Sequence, residues 1–368
     1  MNKFLIFLLV CNVSVFAQKE MQLDYGSSFY NGYAFVKRGN TCFSMDTTGG
    51  LMETPCRGAY HVNKYGKLLV QKSDKELQVY NRSSQKLEKT LVGEGSMKYD
   101  YYTLFTFNEG YFIVDSNYQR TATIGEIDVI VFGVKQFEEI GPGLFKKAVY
   151  NKDKRIRFQL LNHKGEVLSK TLFVKLGEFN SGLAKAKVEN EFGEEKWGYV
   201  NSKGVMVIEA KFLNEPTDFM GNRAFVEFRS GNFAMISDTG GFVTKDIYDF
   251  VEACSENRFF IVDAESRQKF LIDSNNVKIQ DLNRSNRYFA SEDNEKSEAL
   301  LYRYSGKDGL VDFDGKELIE ADTYSDIGPL RSGLCRFFQI GSNGDPSQKG
   351  YLNSKGEKVI VFSNGPGY

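Results

Sequence analysis

The chain has 368 residues, which is long enough for one large domain or two ordinary ones with a sizeable core. Its 47 Lys+Arg nearly balance 48 Asp+Glu, so the net charge of −1 lacks the basic excess of a nucleic-acid-binding protein. The 41% apolar residues exclude a disordered chain, and 31 Phe, 20 Tyr and 35 Gly beside only 6 Pro are typical of β structure built from hairpins.

The first seventeen residues have the pattern of a secretory signal peptide. A short basic start precedes the unbroken apolar run Phe4–Val10, and Val15–Ala17 places small or compact residues where a signal peptidase cuts. The apolar run is too short to serve as a membrane anchor. We therefore expect residues 1–17 to be removed after Ala17, which leaves residues 18–368 as a secreted, periplasmic or cell-surface protein. The longest later apolar segment, Ile127–Val134, predicts a buried strand, so we expect no transmembrane segment after cleavage.

Four cysteines remain after cleavage, namely Cys42, Cys56, Cys254 and Cys335. In an oxidising compartment they permit two disulfides in three connectivities, of which Cys42 with Cys56 is the most local. The interpretation that we favour is that all four are small buried hydrophobic residues. No C-x-x-C spacing is present, which argues against structural zinc.

The chain has two histidines, His61 and His163. His163 lies in an expected exposed turn, and His61 has no partner at ligand spacing. A His-rich metal site is therefore excluded, and a Ser–His triad has no support. The sequence accordingly predicts no catalytic, cofactor-binding or metal-binding residues, and no cofactor.

One short pattern recurs along the mature chain. Two apolar or aromatic residues precede Asp or Asn (once Ser), then two loose positions and often Gly, as in Tyr199–Gly204 and Tyr351–Gly356. We call the third position the marker; nine markers follow one another at a mean interval of about 38 residues. The markers are Asp46, Asn81, Asp115, Asn162, Asn201, Ser237, Asp273, Asp312 and Asn353.

Each marker predicts a β-hairpin. Asn and Asp side chains bond their own backbone and Gly accepts a positive φ, so the pattern indicates a turn between two strands. A second landmark precedes the marker. It consists of an apolar residue, two spacer residues, Gly and then a small residue further on, as in Phe179–Ala184. A strand of alternating apolar and polar residues, such as Ala184–Val188, follows it, with one buried and one solvent-exposed face. We see no helical periodicity in the mature chain.

Residues Lys196–Gly204, together with the upstream Phe179–Ala184, resemble a WG repeat, also called a KWG repeat, which occurs in many bacterial and often exported proteins. The resemblance is strong over 179–208 and fair over 330–360. It implies a WG-like β-repeat domain over 18–368 that is used for binding, and it supplies no catalytic residues to transfer. The clearest units are 177–210, 211–245 and 327–362.

The Trp-Gly pair has a structural explanation. We expect the Trp197 ring to fill space between units and Gly198 to allow close approach of a neighbouring backbone, rather than Trp197 to contact a ligand. The predicted fold class is all-β: about nine hairpin units of about 38 residues, closed into a β-propeller-like ring. An open β-solenoid or superhelix of hairpins is the alternative.

Other motifs favour structural interpretations. Asp312-x-Asp314-Gly315 places its Gly too early for an EF-hand loop, so it predicts a turn. The Gly-containing loops 93–96 and 141–143 lack the strand-to-helix context of a phosphate cradle. Three longer polar segments, 189–195, 341–346 and 289–299, are candidate binding loops, although solvated loop tips are the simpler explanation.

These observations predict an exported, non-enzymatic binding or scaffold protein that uses loops on a β-repeat framework to bind a protein or glycan partner in the cell envelope. A carbohydrate-active hydrolase or lyase on the same scaffold is one alternative. A purely structural envelope component is the other.

Overall fold

The computed structural model describes residues 18–56, 60–63, 65–127, 129, 135–255, 257–283, 288–292, 295–341 and 347–363. The predicted signal peptide, 1–17, lies outside these residues, as does most of the predicted strand Ile127–Val134. The described part contains 34 strands and no helix. The chain is therefore all-β, as the sequence predicts.

The strands follow one another in nine units. A leading strand β1(Lys19–Gln22) precedes them. Unit one has β2(Tyr25–Gly26), β3(Tyr33–Arg38), β4(Thr41–Asp46) and β5(Leu51–Thr54). Unit two has β6(Tyr60–Val62), β7(Lys67–Ser73), β8(Glu76–Asn81) and β9(Lys86–Val92). Unit three has β10(Glu94–Met97), β11(Tyr102–Thr106), β12(Gly110–Val114) and β13(Arg120–Gly125). Unit four has β14(Phe137–Gly141), β15(Leu144–Tyr150) and β16(Ile156–Asn162).

The remaining units repeat this arrangement. Unit five has β17(Lys175–Leu176), β18(Leu183–Glu189), β19(Glu195–Asn201) and β20(Met206–Phe212). Unit six has β21(Arg223–Arg229) and β22(Asn232–Ser237). Unit seven has β23(Tyr248–Ser255), β24(Arg258–Asp263), β25(Lys269–Asp273) and β26(Lys278–Asp281). Unit eight has β27(Tyr288–Glu292), β28(Glu295–Tyr304), β29(Lys307–Val311) and β30(Glu317–Tyr324). Unit nine has β31(Asp326–Ile327), β32(Leu334–Gln339), β33(Gln348–Asn353) and β34(Lys358–Ser363).

The nine units form eight antiparallel sheets. Seven units have a sheet each, whereas units six and seven share the six-stranded sheet β21–β26 through the pair Phe233↔Tyr248. In unit four, isolated bridges such as Leu161↔Val167 take the place of the fourth strand. Each marker lies at or just beyond the end of the third strand of its unit, or of the last strand in units four and six.

The eight sheets close into a β-propeller. Strand β1 pairs in parallel with β34, so the beginning of the described chain completes the last sheet. Nine hydrophobic clusters among the described residues each join one unit to the next, and one of them joins unit nine to unit one. An open array would leave its first and last units without this contact. The alternative of an open solenoid is therefore excluded.

The markers form the turns that the sequence predicts. The Asn201 side-chain oxygen accepts hydrogen bonds from the backbone N–H groups of Lys203 and Val205, at 3.0 and 3.1 Å. Seven of the nine markers accept the corresponding pair; Asn81 and Ser237 use other hydrogen bonds. Because both donors are local in sequence, the turn follows directly from the residue pattern.

The second landmark forms a tight hairpin turn and a contact between units. In unit one Asn31 and Gly32 have φ of 49° and 82°, as a two-residue type I′ turn requires. The landmark aromatic two residues earlier, Phe29, is buried against Tyr351 of unit nine, with ring centroids 4.9 Å apart. The Tyr351 hydroxyl also donates to the Ser27 carbonyl oxygen, at 2.7 Å.

The same contact joins units five and six. The Tyr199 ring packs edge-on against the landmark aromatic Phe219, at 4.7 Å, and its hydroxyl donates to the Thr217 carbonyl oxygen, at 2.9 Å. Tyr199 is fully buried. The aromatic residues of the repeat therefore hold neighbouring units together, which accounts for much of the Phe and Tyr content.

The Trp-Gly pair makes close backbone packing possible. Trp197 is only 4% exposed and pairs with Phe212, whereas Tyr199 pairs with Ile208, so the fourth strand bulges beside Gly198. A Cβ at residue 198 would meet the Ile208 carbonyl oxygen inside van der Waals contact and would lie 2.8 Å from the Glu209 carbonyl carbon. Only Gly fits beside this bulge.

Replacement of Gly198 by Ala is expected to lower the free energy of unfolding by about 1–3 kcal/mol, because the added methyl overpacks the bulge. The matched control is Gly241→Ala, since a Cβ there would find its nearest neighbour, the Ser237 hydroxyl, at 3.7 Å. That control is expected to be neutral or slightly stabilising. Denaturant unfolding of both variants measures the difference, and equal stabilities would contradict the steric explanation.

The cysteines divide into two groups. Cys42 and Cys56 form a disulfide with a Cα–Cα distance of 5.3 Å, so the favoured interpretation of four unpaired buried cysteines is wrong for this pair. It is confirmed for Cys254 and Cys335, which are free and buried. Burial raises the pKa of the Cys335 thiol to about 12, which keeps that thiol protonated at neutral pH.

Candidate functional site

The unit topology gives the propeller two distinct faces. Because successive strands run in opposite directions, the turn between the first and second strands lies on the same face as the marker turn. We call this face the Asx-turn face. The turns between the second and third strands lie on the opposite face. Any site assembled from marker turns must therefore lie on the Asx-turn face.

A cavity of about 650 Å³ opens on the Asx-turn face across units two to five. Its volume lies within the usual range of small-molecule sites. It is lined almost entirely by turn residues of four successive units, and we call it the turn cleft. Its lining comprises Tyr65, Asp100, Tyr101, Asp115, Ser116, Asn117, Pro142, Gly143, Leu144, Asn162, His163, Leu168 and Ser202.

Two aromatic surfaces stand in the turn cleft. Tyr65 is 51% exposed, and its hydroxyl donates to the Asp100 carboxylate at 2.5 Å. Tyr101 is stacked on His163, with ring centroids 5.3 Å apart and an angle of 14° between the ring planes. Burial raises the pKa of the Tyr101 hydroxyl, with the nearby carboxylates adding to the shift. The cleft thus combines ring faces with neutral hydroxyl groups.

The polar groups of the turn cleft come from marker turns. Asp115 Oδ1 accepts the backbone N–H groups of Asn117 and Gln119, at 2.9 and 2.8 Å. This bonding fixes the turn and leaves Oδ2 as the second acceptor of the carboxylate. Ser116 and Asn117 are exposed at the tip of the same turn. The cleft therefore presents side-chain donors and acceptors on a turn whose backbone is held in place.

Glu139 on β14 holds two loops of the turn cleft in position. The side chain is only 2% exposed, and its carboxylate accepts the backbone N–H groups of Tyr99, Asp100 and Tyr101 of unit three at 3.0 to 3.2 Å. It also accepts the N–H of Gly143 in its own unit, at 3.0 Å. Burial raises the pKa of this carboxyl, and the four N–H groups partly offset that shift. Glu139 thus ties together two loops that line the cleft, one from unit three and one from unit four.

The described residues of the three predicted binding loops do not line the turn cleft. Segment 189–195 joins β18 to β19 on the opposite face, where Phe192 is 81% exposed. Segment 341–346 occupies the corresponding position in unit nine, and its residues 342–346 lie outside the described chain. The described residues of segment 289–299 belong to β27 and β28 of unit eight, and residues 293–294 lie outside the described part of the chain.

Two further motifs from the sequence analysis lie in turns of the propeller. Asp312 Oδ1 accepts the backbone N–H groups of Asp314 and Lys316, as in the other marker turns, and Asp314 pairs with Arg258 at 2.7 Å. The turn interpretation of this motif therefore agrees with the structure. Loop 141–143 forms the first turn of unit four and lines the turn cleft.

The described residues offer neither a cluster of metal ligands nor a membrane-spanning helix. No group of three or more His, Cys, Asp or Glu side chains in this part of the chain is arranged to hold a metal ion. Within the same residues there is no helix with the length and apolar character needed to cross a bilayer. His61 lies on β6, facing Leu69 in the backbone register, and His163 belongs to the turn cleft.

Sequence reasoning missed Tyr65, Asp100 and Tyr101 as site residues. Asp100 and Tyr101 stand in no recurrent motif, so their types alone gave no signal. Tyr65 follows Asn63, which has the marker pattern and accepts the backbone N–H groups of Tyr65 and Lys67, both at 3.0 Å, so a signal for this residue was present in the sequence. A second signal was topological, because Asp115 and His163 lie in marker turns that must share one face. Placing the marker turns of neighbouring units side by side would have identified the region between units three and four as a candidate site.

The fold defines the chain as a closed β-propeller built from hairpin repeats. Residues 197–212 match the family described as the WG containing repeat, which confirms the WG resemblance at the Trp-Gly segment. A search of curated proteins gives no match to this chain.

Several solved structures are similar to the chain. One is BamB from Moraxella catarrhalis, with 9% identity, 80% of this chain and 98% of that chain covered, and a TM-score of 0.39. Another is the computationally designed Ika8 protein, with 11% identity, coverage of 82% and 96%, and a TM-score of 0.39. A third is the WD40 beta propeller domain of Doa1, with 10% identity, coverage of 70% and 96%, and a TM-score of 0.31. TM-scores this low carry no functional argument, and the fold assignment rests on the strand pairing and ring closure.

Proposed function

We propose that the mature chain is an exported, non-enzymatic binding or scaffold protein of the cell envelope that binds a protein or glycan partner. The observation that carries the proposal is the turn cleft, in which turns of four successive units converge on one face. Rigid scaffolds with functional groups on surface turns are the usual basis of binding proteins. Ring closure and the buried Glu139 provide that rigidity.

Export is supported by two independent features. The first seventeen residues have the pattern of a signal peptide. The Cys42–Cys56 disulfide fits an oxidising compartment, because such bonds are rare in the cytosol. Fractionation of cells expressing the full chain or a variant without residues 1–17 tests this part. Equal amounts of both outside the cytoplasm would contradict it.

A non-enzymatic role is supported by how the two carboxylates of the turn cleft are used. Asp100 accepts the Tyr65 hydroxyl, and Asp115 holds its own turn through Oδ1. Paired catalytic carboxylates need one group with a raised pKa to act as the acid beside an ionised partner. The bonding of both groups favours roles in shaping and binding over proton transfer.

Comparison of cleft and control variants tests the proposal. The immobilised mature protein, its Tyr65→Ala variant and its Tyr150→Ala variant are incubated with envelope extract, and retained proteins and glycans are identified. Tyr150 is a matched control because it is 48% exposed, close to the 51% of Tyr65, and lies on the opposite face. The same component must be retained by wild type and Tyr150→Ala and lost by Tyr65→Ala. Retention by all three proteins, or by none, would overturn the assignment of the cleft.

A further inference from the structure

The geometry points to a neutral oligosaccharide as the ligand of the turn cleft. This inference rests on the proposed binding function and specifies its ligand class. It combines an exposed tyrosine ring, a set of mixed hydrogen-bonding side chains and the absence of Lys and Arg from the described lining.

The Tyr65 ring supplies an apolar surface at the cleft. The ring is half exposed while its hydroxyl is bonded to Asp100, so the ring is held by its polar end. A pyranose presents an apolar C–H face that packs flat against such a ring, while its hydroxyl groups stay at the rim. A second planar surface of the cleft is the stacked pair of Tyr101 and His163.

The polar groups of the cleft match hydroxyl groups of a sugar. The Asp115 carboxylate accepts hydrogen bonds through Oδ2, and the Asn117 amide both donates and accepts. Ser116 and Ser202 add hydroxyl groups from the turns of units three and five. Vicinal sugar hydroxyls also donate and accept, so a carboxylate and an amide on one turn complement a pair of them.

The charge of the cleft argues against an anionic ligand. Its described lining contains Asp100 and Asp115 but no Lys or Arg. Phosphate, sulfate or uronate groups would face two carboxylates without a Lys or Arg side chain to compensate them. A nucleic acid or an acidic polysaccharide is therefore disfavoured.

A peptide partner is the competing occupant of the turn cleft. Extended peptides bind most readily by adding a strand to an exposed sheet edge. The described lining consists mainly of turn residues and offers no strand edge. A basic peptide would find only two carboxylates, one of which already accepts the Tyr65 hydroxyl. The neutral sugar therefore fits the cleft better.

Calorimetric titration of the mature chain tests the inference. The probes are short malto-, cello-, manno- and chito-oligosaccharides, with a polyuronate oligomer and oligolysine as charged comparators. We expect at least one neutral oligosaccharide to bind, and Tyr65→Ala to weaken it by about tenfold or more, as for removal of a central aromatic contact. Asn117→Ala is expected to weaken the same probe without changing the fold, whereas Tyr150→Ala leaves the affinity unchanged.

Three outcomes would overturn the inference. The first is no binding of any neutral probe, and the second is binding that Tyr65→Ala and Asn117→Ala leave unchanged. The third is tighter binding of oligolysine or of the polyuronate oligomer that Tyr65→Ala abolishes. This third result would reject the sugar but retain the cleft as a binding site, so it separates this inference from the proposed function. Circular dichroism of each variant confirms that the fold is retained.

Discussion

Replacement of Glu139 by Ala is expected to lower the free energy of unfolding by about 3 kcal/mol or more, since the loss of a buried acceptor leaves its donors unsatisfied. The carboxylate accepts four backbone N–H groups from two units, and Ala offers none of these bonds. Denaturant unfolding at neutral pH measures the loss. The effect is expected to be large because three successive N–H groups, those of Tyr99–Tyr101, bond this one carboxylate.

Two further variants define the origin of this effect. Glu139→Gln keeps one acceptor oxygen but turns an amide toward N–H donors, so its stability should fall between wild type and Glu139→Ala. Glu138→Ala is the matched control, since Glu138 is the adjacent carboxylate and forms a partly exposed ion pair with Lys146 at 2.8 Å. Loss of that pair is expected to cost at most about 1 kcal/mol. Equal losses for Glu138→Ala and Glu139→Ala would contradict the special role of Glu139.

Removal of the Cys42–Cys56 disulfide is expected to destabilise the mature chain by about 3 kcal/mol, the value for a loop of this length. The two residues are 14 apart in sequence, and the bond ties the third strand of unit one to the segment that leads toward unit two. Unfolding of the Cys42→Ala/Cys56→Ala double variant, measured against wild type without reductant, checks this value.

Reductant provides the internal control for the disulfide. It should lower the stability of wild type to about that of the double variant and leave the double variant unchanged. A thiol count in denaturant without reductant should find two free thiols in the mature wild type, from Cys254 and Cys335. Four free thiols would show that the pair is reduced in the isolated protein.

The opposite face carries the candidate loop 189–195. Phe192 at the tip of 189–195 is 81% exposed, and Phe107 in the corresponding turn of unit three is 69% exposed. The sequence identified this segment correctly as an exposed loop, because polar insertions interrupt the repeat there. It could not show that the loop lies away from the turn cleft, because face assignment requires the direction of each strand.

The repeat itself was readable because its bonds are local. The side chain of a marker such as Asn201 bonds N–H groups two and four residues further along, so residue type and spacing determine the turn. The close approach at Gly198 was also predictable, since a Trp-Gly pair on a strand implies a bulge or a near backbone. The unit count followed from the markers, whereas the joining of units six and seven in one sheet depends on a single pair, Phe233↔Tyr248.

The amino-acid sequence by itself determined the all-β class, the hairpin period, the marker turns and the WG segment, because each depends on contacts within a few residues. Only the tertiary structure decided ring closure, the Cys42–Cys56 pairing and the turn cleft. The disulfide depends on how the end of unit one folds back on its third strand. Ring closure and the cleft depend on residues from separate units, as when Glu139 accepts hydrogen bonds from N–H groups of a loop about 40 residues earlier. The pattern within one repeat specifies how a unit folds, and the contacts between units specify what the protein can bind.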